Sequence, residues 1–481
     1  MRFHGGYLPR VAGRPSSMIR HAPVPDQLVI RLRQGGMTYH GAVGNGETVA
    51  FGSPLAWAEG AGGRIALPAP VTGVVSIDAD ASALTLKVTN AETTPVWPRQ
   101  PPERIPAEAI RESLACGGLW PLIWSSRTGG MPMLDGSEEP RRILVNFLAT
   151  EPFRTRGKVV LQAHWEQVLT GLRYLSRLLA EYGLVHLVLT EPDDPVAHAL
   201  QKETTGQVWM HLETAPLRYP VEHPRVLCGA LRRGDRTVKP DETIWILDAQ
   251  AVQAVGACLG EGLPLHERIV AVGGPGAANP GHLRVRIGTP LDRVLDAADL
   301  DETRQQVLRG GLMRGTPVQA ADAVKYDDDA FFVLPRPAKR EFLGFVNPGF
   351  DRVSILPCFA SRLTGAADRT ITASLRGERR PCIACGLCEE VCPRGLLPQV
   401  LHRYLYRDAI DEAERTGLPL CIGCGLCSYV CPSKIELRHE FAQAQDRLRR
   451  EHAQAQAVET VNEQREESRQ HEKEHSEDWR K

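Results

Sequence analysis

The sequence predicts a multidomain α/β protein that ends in a separate, mainly α-helical domain. Three observations support this fold class. The 481 residues, 42% of them hydrophobic, are enough to build several cores. Helical patterns alternate with short apolar strands in the middle of the chain. Eight of the twelve cysteines are concentrated in residues 382–431, at spacings that order a small domain around bound metal.

Residues 1–90 are expected to form an N-terminal β barrel-sandwich of the biotinyl or lipoyl type. Short strands alternate with glycine turns there, as in residues 43–49 and 68–77. Such domains carry their cofactor on a turn lysine. The first lysine of the chain is Lys87, beyond these turns, so we expect no covalent biotin or lipoate in the barrel. Residues 91–107 contain five prolines and are predicted to be a linker.

Residues 108–220 are predicted to form a Rossmann-like α/β layer. Helical patterns at 106–115 and 163–181 flank apolar strands at 143–149 and 184–190.

Residues 221–300 contain three further strand patterns, at 242–248, 268–272 and 283–290. A glycine run, Gly273-Gly-Pro-Gly276, follows the second of them. Pro275, Pro280 and the missing third glycine favour a turn between strands over a dinucleotide phosphate loop. Residues 301–375 are assigned as a connecting region.

Two cysteine runs follow the pattern C-x2-C-x2-C-x3-C-P. The first is Cys382-Ile-Ala-Cys385-Gly-Leu-Cys388-Glu-Glu-Val-Cys392-Pro, and the second is Cys421-Ile-Gly-Cys424-Gly-Leu-Cys427-Ser-Tyr-Val-Cys431-Pro. In two-cluster proteins, the first three cysteines of each run bind one 4Fe-4S cluster and the fourth binds the other cluster. We therefore predict one cluster on Cys382, Cys385, Cys388 and Cys431, and its neighbour on Cys421, Cys424, Cys427 and Cys392.

Zinc is the alternative metal, because it also takes four thiolates from C-x2-C pairs. Zinc would need only two such pairs, whereas this chain repeats a third cysteine, a fourth cysteine and a proline. The other cysteines, Cys116, Cys228, Cys258 and Cys358, are scattered and are expected to be ordinary small core residues.

The dicluster domain is predicted to span residues 376–448. The 28 residues between the two runs show helical spacing at Leu397, Leu401 and Leu405, and residues 436–448 also have a helical pattern. The tail, residues 449–481, is dominated by charged residues and glutamine. It cannot build a core and is predicted to be solvated helix or disorder.

Charge and hydropathy exclude several classes of function. Lys plus Arg (57) nearly balances Asp plus Glu (58), which argues against a nucleic-acid partner. No apolar run approaches the roughly 20 residues of a spanning helix, and no signal peptide is visible. We expect a cytoplasmic protein.

The chain to about residue 448 resembles two related families. Phe3-His-Gly-Gly6 occurs in both families, and the middle of the chain resembles the A subunit of the sodium-translocating NADH:quinone reductase through residues 113–120 and 268–275. The C-terminal dicluster resembles the C subunit of Rnf complexes through residues 392–398 and 430–433. The resemblance implies an SLBB-like β-grasp domain at 221–300. In the quinone reductase family these cysteines are mostly absent, so their retention is a departure from that family.

Rnf C subunits are similar to the flavin-binding subunit of respiratory complex I, which implies a glycine-rich loop for FMN and NADH. The matching stretch here is Cys116-Gly-Gly-Leu-Trp-Pro-Leu-Ile-Trp124. Leu119, Trp120 and Trp124 would fill the space that a loop needs beside a flavin phosphate. Asn146 and Glu151-Pro152 echo a second flavin segment of that family. On balance we expect no FMN.

The resemblance implies a peripheral electron-transfer subunit on the inner face of the cell membrane. It would be held there by integral-membrane and flavin subunits of an Nqr/Rnf-type complex and would relay single electrons. Quinone, NADH and a soluble ferredoxin are the candidate redox partners. Two alternatives remain at this point: an FMN- and NADH-binding dehydrogenase subunit with its own hydride-transfer site, and a scaffold whose clusters only stabilise the fold.

Overall fold

The structure is a computed structural model that describes residues 1–78, 82–190, 195–301, 303–319, 322–336, 371, 373 and 378–478. The chain divides into two compact units, residues 1–376 and residues 377–481. Within the described ranges, none of the helices is long and apolar enough to cross a membrane.

The first unit begins with small, mostly antiparallel sheets. After β1 (Ile19–His21), which belongs to a later sheet, nine strands follow within the first 90 residues: β2 Gln27–Arg31, β3 Arg33–Gln34, β4 Met37–Thr38, β5 His40–Gly41, β6 Thr48–Val49, β7 Pro54–Gly60, β8 Gly63–Pro68, β9 Thr72–Ile77 and β10 Ala83–Asn90. They form a four-stranded sheet in the order β2-β10-β9-β6, a three-stranded sheet in the order β5-β7-β8 and the pair β3-β4. Leu28, Leu55, Ile65 and Leu84 are buried between them.

The middle of the first unit is a five-stranded sheet with helices. Its strands are β11 Trp124–Ser125, β12 Arg142–Asn146, β13 Leu184–Leu189, β14 Met210–Thr214 and β15 Ile244–Asp248, in the order β11-β15-β12-β13-β14. The last four are parallel and β11 is antiparallel. All five residues of β12 are buried, as a strand covered on both faces requires. The helices are α1 Ala107–Cys116, α2 Gly157–Ala163, α3 Trp165–Ser176, α4 Pro195–Thr204, α5 Pro224–Gly234 and α6 Ala249–Glu261.

Helices α3 and α6 pack unusually closely against each other through glycines. A Cβ atom built on Gly256 of α6 would lie 1.8 Å from the carbonyl oxygen of Gln167, and one built on Gly171 of α3 would lie 2.1 Å from the carbonyl oxygen of Val252. Only residues without a side chain allow this approach.

A second large sheet completes the first unit. Its later strands are β16 Glu267–Gly273, β17 Gly281–Arg286, β18 Gln305–Arg309, β19 Thr316–Pro317 and β20 Ala330–Pro335, with helix α7 at Leu291–Ala297. The order is β1-β17-β16-β20-β18-β19. The glycine run at 273–276 begins at the end of β16 and leads into the turn before antiparallel β17, as predicted. Gly274 has a φ of +122° and packs against Val333, so this stretch is a structural turn.

The change from the first large sheet to the second does not fall at residue 220, where a domain boundary was predicted. Strand β15 (residues 244–248) lies beside β12 in the parallel sheet, whereas its strand pattern was predicted to belong to a domain of residues 221–300. Strands β18 and β20, predicted within a connecting region, belong to the second sheet. Strand periodicity shows that a segment is extended, but it does not show which neighbour the segment pairs with.

The second unit is helical, as predicted. Its helices are α8 Leu387–Glu390, α9 Pro398–Tyr406, α10 Ile410–Arg415, α11 Leu426–Val430 and α12 Leu437–Asp478. The predicted insert between the cysteine runs forms α9 and α10. Helix α12 contains all but the first residue of the predicted helix at 436–448, together with most of the charged tail. Its side chains from Leu437 to Leu448 that face inward, including Phe441 and Ala444, are buried, and those of residues 449–459 are exposed.

Candidate iron-sulfur centre

Each cysteine run folds into a loop followed by a short helix. Gly386 precedes α8 with a φ of +78°, and Gly425 precedes α11 with a φ of +81°. Two residues earlier in each loop, Ala384 and Gly423 have φ values of +53° and +63°. The left-handed residues reverse the loop, so that three cysteines of each run line one cavity.

The eight cysteines line two cavities. Cys382, Cys385, Cys388 and Cys431 line the first, and Cys392, Cys421, Cys424 and Cys427 line the second. These two groups are the same as the two ligand sets that the spacing predicts. Because the fourth cysteine of each run lies in the wall of the other cavity, the assignment of Cys392 and Cys431 as exchanged ligands has a geometric basis.

The chemistry of the donors fits iron-sulfur clusters. Each cavity offers four sulfurs, the ligand set of a 4Fe-4S cluster. Burial raises the pKa of Cys388 to about 11 and that of Cys427 well above its usual range. Burying a negatively charged thiolate costs free energy. Thiolates at these positions therefore depend on a bound cation such as iron to offset that cost.

A single zinc ion and a 4Fe-4S cluster require different spacings of the four sulfurs. Four sulfurs around one zinc ion lie about 3.8 Å from each other, given Zn–S bonds of about 2.3 Å. Within the described residues, no group of three or more His, Cys, Asp or Glu side chains is arranged to hold a metal ion. A cubane is larger than an ion and takes ligands that lie further apart.

The two halves of the dicluster domain are an internal repeat with a shift of 39 positions. Cys421 follows Cys382 at this distance, and each residue that lines the first cavity has its counterpart in the wall of the second. The non-cysteine pairs that differ in residue type are Gln399 and Arg438, His402 and Phe441, Ser433 and Arg394, Ile435 and Leu396, and Leu437 and Pro398. The cysteine motif did not reveal these residues, because they lie outside the two runs.

The apolar residues of the two cysteine runs are only partly buried. Val391, Leu426 and Val430 are buried, but Ile383 is 67% exposed. Cys385 is also exposed, whereas its counterpart in the second loop, Cys424, is buried. The first loop is therefore more open to water than the second.

Three of the four remaining cysteines lie in the first unit and Cys358 lies outside the described residues. Cys228 and Cys258 are buried and Cys116 is half-buried. Burial raises the pKa of Cys258 to about 12 and also raises the pKa of Cys116, where Glu112 adds to the effect. Thiols that stay protonated are poor nucleophiles, which agrees with a structural role.

The space beside the glycine pair that resembles a flavin-binding loop is filled by other residues of the protein. A Cβ atom on Gly117 would lie 2.8 Å from Cys258 Sγ, and one on Gly118 would lie 2.8 Å from Pro68 Cδ. Trp120 is fully buried, packs edge-on against Trp245 and donates a hydrogen bond from Nε1 to the Pro132 carbonyl at 2.8 Å. The loop therefore provides no cradle for a flavin phosphate.

The second echo of a flavin site lies beside cavities at the carboxyl ends of the parallel strands, where α/β sheets often bind ligands. Asn146 Nδ2 donates to the Glu222 carbonyl at 3.1 Å, and its Oδ1 accepts from the Leu148 N–H at 2.9 Å. Glu151 accepts from the N–H groups of Met313 and Arg314. Both side chains are engaged in hydrogen bonds within the protein, and Asn146 and Glu151 also line the two cavities.

Lys87 lies within β10, where it pairs with Gln27 and Val74 of the neighbouring strands. Its position in the middle of a sheet differs from the turn position of a cofactor-bearing lysine. The lack of a covalent biotin or lipoate remains a prediction that this position supports.

The fold and the cysteine site define a multidomain α/β protein of the iron-sulfur, electron-transport class. Residues 105–263 match the NqrA second alpha/beta domain, residues 269–320 match the NQRA C-terminal domain and residues 381–436 match a 4Fe-4S dicluster domain. These matches confirm that the body resembles the A subunit of the sodium-translocating NADH:quinone reductase and that a dicluster domain follows it.

Two relatives illustrate the similarity. The A subunit of the Na(+)-translocating NADH-quinone reductase from Pseudomonas aeruginosa is 27% identical over 417 residues, which cover 85% of this chain and 89% of that protein. The corresponding protein from Rhodopirellula baltica is 28% identical over 320 residues, 65% of this chain and 66% of that protein.

Among solved structures, an NAD+-reducing [NiFe]-hydrogenase in the air-oxidized state matches 48% of this chain and 49% of that chain, with a TM-score of 0.36 and 19% identity. A TM-score of this size does not establish a shared fold.

Proposed function

We propose that the chain is a peripheral electron-transfer subunit of a membrane-bound, ion-translocating NADH:quinone or ferredoxin:NAD oxidoreductase of the Nqr/Rnf type. It would relay single electrons through two 4Fe-4S clusters. The observation that carries the proposal is the placement of two four-cysteine cavities in one helical domain, on a chain whose body is similar to the A subunit of such a reductase.

The protein's own residues would hold the redox groups and limit their access to water. Cys382, Cys385, Cys388 and Cys431 would bind one cluster, and Cys392, Cys421, Cys424 and Cys427 the other. A bound 4Fe-4S cluster supplies a centre that accepts or gives one electron. Leu426 and Phe441 line the second site with apolar surface, which would help to set the redox potential.

The partners follow from the names of the relatives, which are subunits of a larger reductase. We therefore propose integral-membrane and flavin subunits as partners, with quinone, NADH or a soluble ferredoxin as the outer donor or acceptor. Attachment to the inner face of the membrane would then depend on those subunits.

A flavin-containing dehydrogenase is the second candidate, because cavities lie at the carboxyl ends of the parallel strands. The two candidates differ in one measurement. The full chain, purified without oxygen, is mixed with NADH in the absence of partners and its visible absorbance is followed. The relay predicts that dithionite partly bleaches the visible absorbance and that NADH does not change it. Stoichiometric FMN and bleaching by NADH alone would instead establish the dehydrogenase.

A further inference from the structure

The two cavities of the repeat differ in the charge of their walls. Gln399 and Ser433 line the first cavity, and Arg438 and Arg394 line the second at the matched positions. Guanidinium groups remain charged at every pH that proteins tolerate. The second cavity therefore has two positive side chains where the first has two neutral ones.

The short helices that follow the two loops also differ in charge, and again the first is the more negative. Helix α8 in the first half carries Glu389 and Glu390, and helix α11 in the second half carries Ser428 and Tyr429 at the matched positions. Glu389 also accepts a hydrogen bond of 2.8 Å from Gln399 Nε2, which holds its negative charge beside a residue of the first cavity wall. Helix α8 is thus more negative than helix α11.

His402 does not reverse this difference. It lines the first cavity where Phe441 lines the second. Its Nδ1 lies 2.7 Å from Glu440 Oε2, and Arg379 lies 2.5 Å from the other oxygen of the same carboxylate. The negative charge of Glu440 offsets the positive charge of Arg379, which is itself largely exposed to screening solvent.

Exposure to water favours reduction of the first centre, since a cluster that is more exposed to water more readily accepts negative charge. The exposed thiol of Cys385 brings water to the first site, but only this one of the four ligands is exposed, and Cys388 is buried. The two guanidinium groups that line the second cavity have a larger electrostatic effect than this one exposed thiol.

We propose that Arg394 and Arg438 give the second centre, on Cys392, Cys421, Cys424 and Cys427, a higher reduction potential than the first. The inference rests on the proposed function, because it requires both sites to hold clusters. Uptake of an electron makes a cluster more negative, and nearby positive charges stabilise that state. One electron then moves downhill from the first centre, which is oxidised, to the second, which is reduced. No bond is formed or broken and no proton is transferred.

The test is an EPR-monitored potential titration of the anaerobic full chain with dithionite. Cys431→Ser and Cys392→Ser assign the signals to the first and second centres. Arg438→Gln and Arg394→Ser, which copy the first half, are expected to lower the second potential only. The reciprocal change Gln399→Arg is expected to raise the first potential only. Each substitution should change the ratio of reduced to oxidised centre about tenfold at a fixed solution potential. This corresponds to a shift of about 59 mV in the reduction potential for one electron.

Arg403→Gln is the matched control, because it removes a positive charge from an exposed position of α9 that lines neither cavity. A higher potential at the first centre in the unmodified chain would overturn the inference. Equal shifts in Arg438→Gln and Arg403→Gln would also overturn it. An unmodified chain with no reducible centres would instead overturn the proposed function, and the inference with it.

Discussion

Cys392 lies in the wall of the cavity that Cys421, Cys424 and Cys427 line, although Cys388, only four residues before it, lines the other cavity. Cys431 has the reciprocal position. The two halves of the dicluster domain therefore depend on each other, since neither cavity has four sulfurs from one run alone.

Exchanged ligands predict which cluster each cysteine variant loses. Cys392→Ser is expected to damage the centre on the second run, and Cys431→Ser the centre on the first run. Mössbauer and EPR spectra of anaerobically reconstituted protein distinguish the two outcomes, with Cys385→Ser and Cys424→Ser as references for each site. Spectra in which Cys392→Ser matches Cys385→Ser would show that each run binds its own cluster.

The close contact of α3 and α6 predicts that Gly256→Ala strongly destabilises the first unit. A methyl group 1.8 Å from the Gln167 carbonyl oxygen would force the helices apart, at a cost of about 3 kcal/mol. Urea unfolding followed by tryptophan fluorescence measures this, because all tryptophans except Trp479 lie in the first unit.

Gly260→Ala is the matched control for this change. It lies on the same helix, but the nearest atom to its added methyl group is the side-chain Cγ2 of Thr170 at 3.0 Å. Because alanine favours helix over glycine by about 1 kcal/mol, this variant should be nearly as stable as the unmodified chain. Equal stabilities of the two variants would contradict the role of Gly256.

The buried carboxyl of Glu222 is expected to make the protein less stable as pH rises. Burial raises the pKa of this carboxyl to about 7, helped by the negative charge of Glu151. Its Oε1 accepts from the Glu151 N–H at 3.0 Å, whereas the buried Oε2 has no hydrogen-bond partner among the described residues. Between about pH 4.5 and pH 7 the folded chain keeps a proton that the unfolded chain releases, so the free energy of unfolding falls as pH rises.

Glu222→Gln should remove this dependence. From pH 5 to pH 8, the variant should gain about 3 kcal/mol in unfolding free energy relative to the unmodified chain. Urea unfolding at several pH values measures it, with the exposed Glu59→Gln as control. Parallel pH profiles for Glu222→Gln and the unmodified chain would show that Glu222 ionises normally.

The sequence was most informative where spacing determines geometry. The cysteine pattern predicted both four-sulfur groups, and the turn at 273–276 followed from Pro275 and Pro280. The pairing of β15 with β12 could not be predicted, since it depends on which parallel neighbour a buried strand finds. The roles of Gln399 and Arg438 were missed because they lie beyond the cysteine motif, on helices whose inward face only the fold defines.

The most direct test of the account is the iron, sulfide and redox content of the full chain reconstituted without oxygen. Two 4Fe-4S clusters predict about eight iron atoms and about eight acid-labile sulfides per chain, with two centres that each take up one electron from dithionite. Zinc in place of iron, or clusters that stay oxidised across the accessible potential range, would contradict the assignment of this chain as an electron carrier.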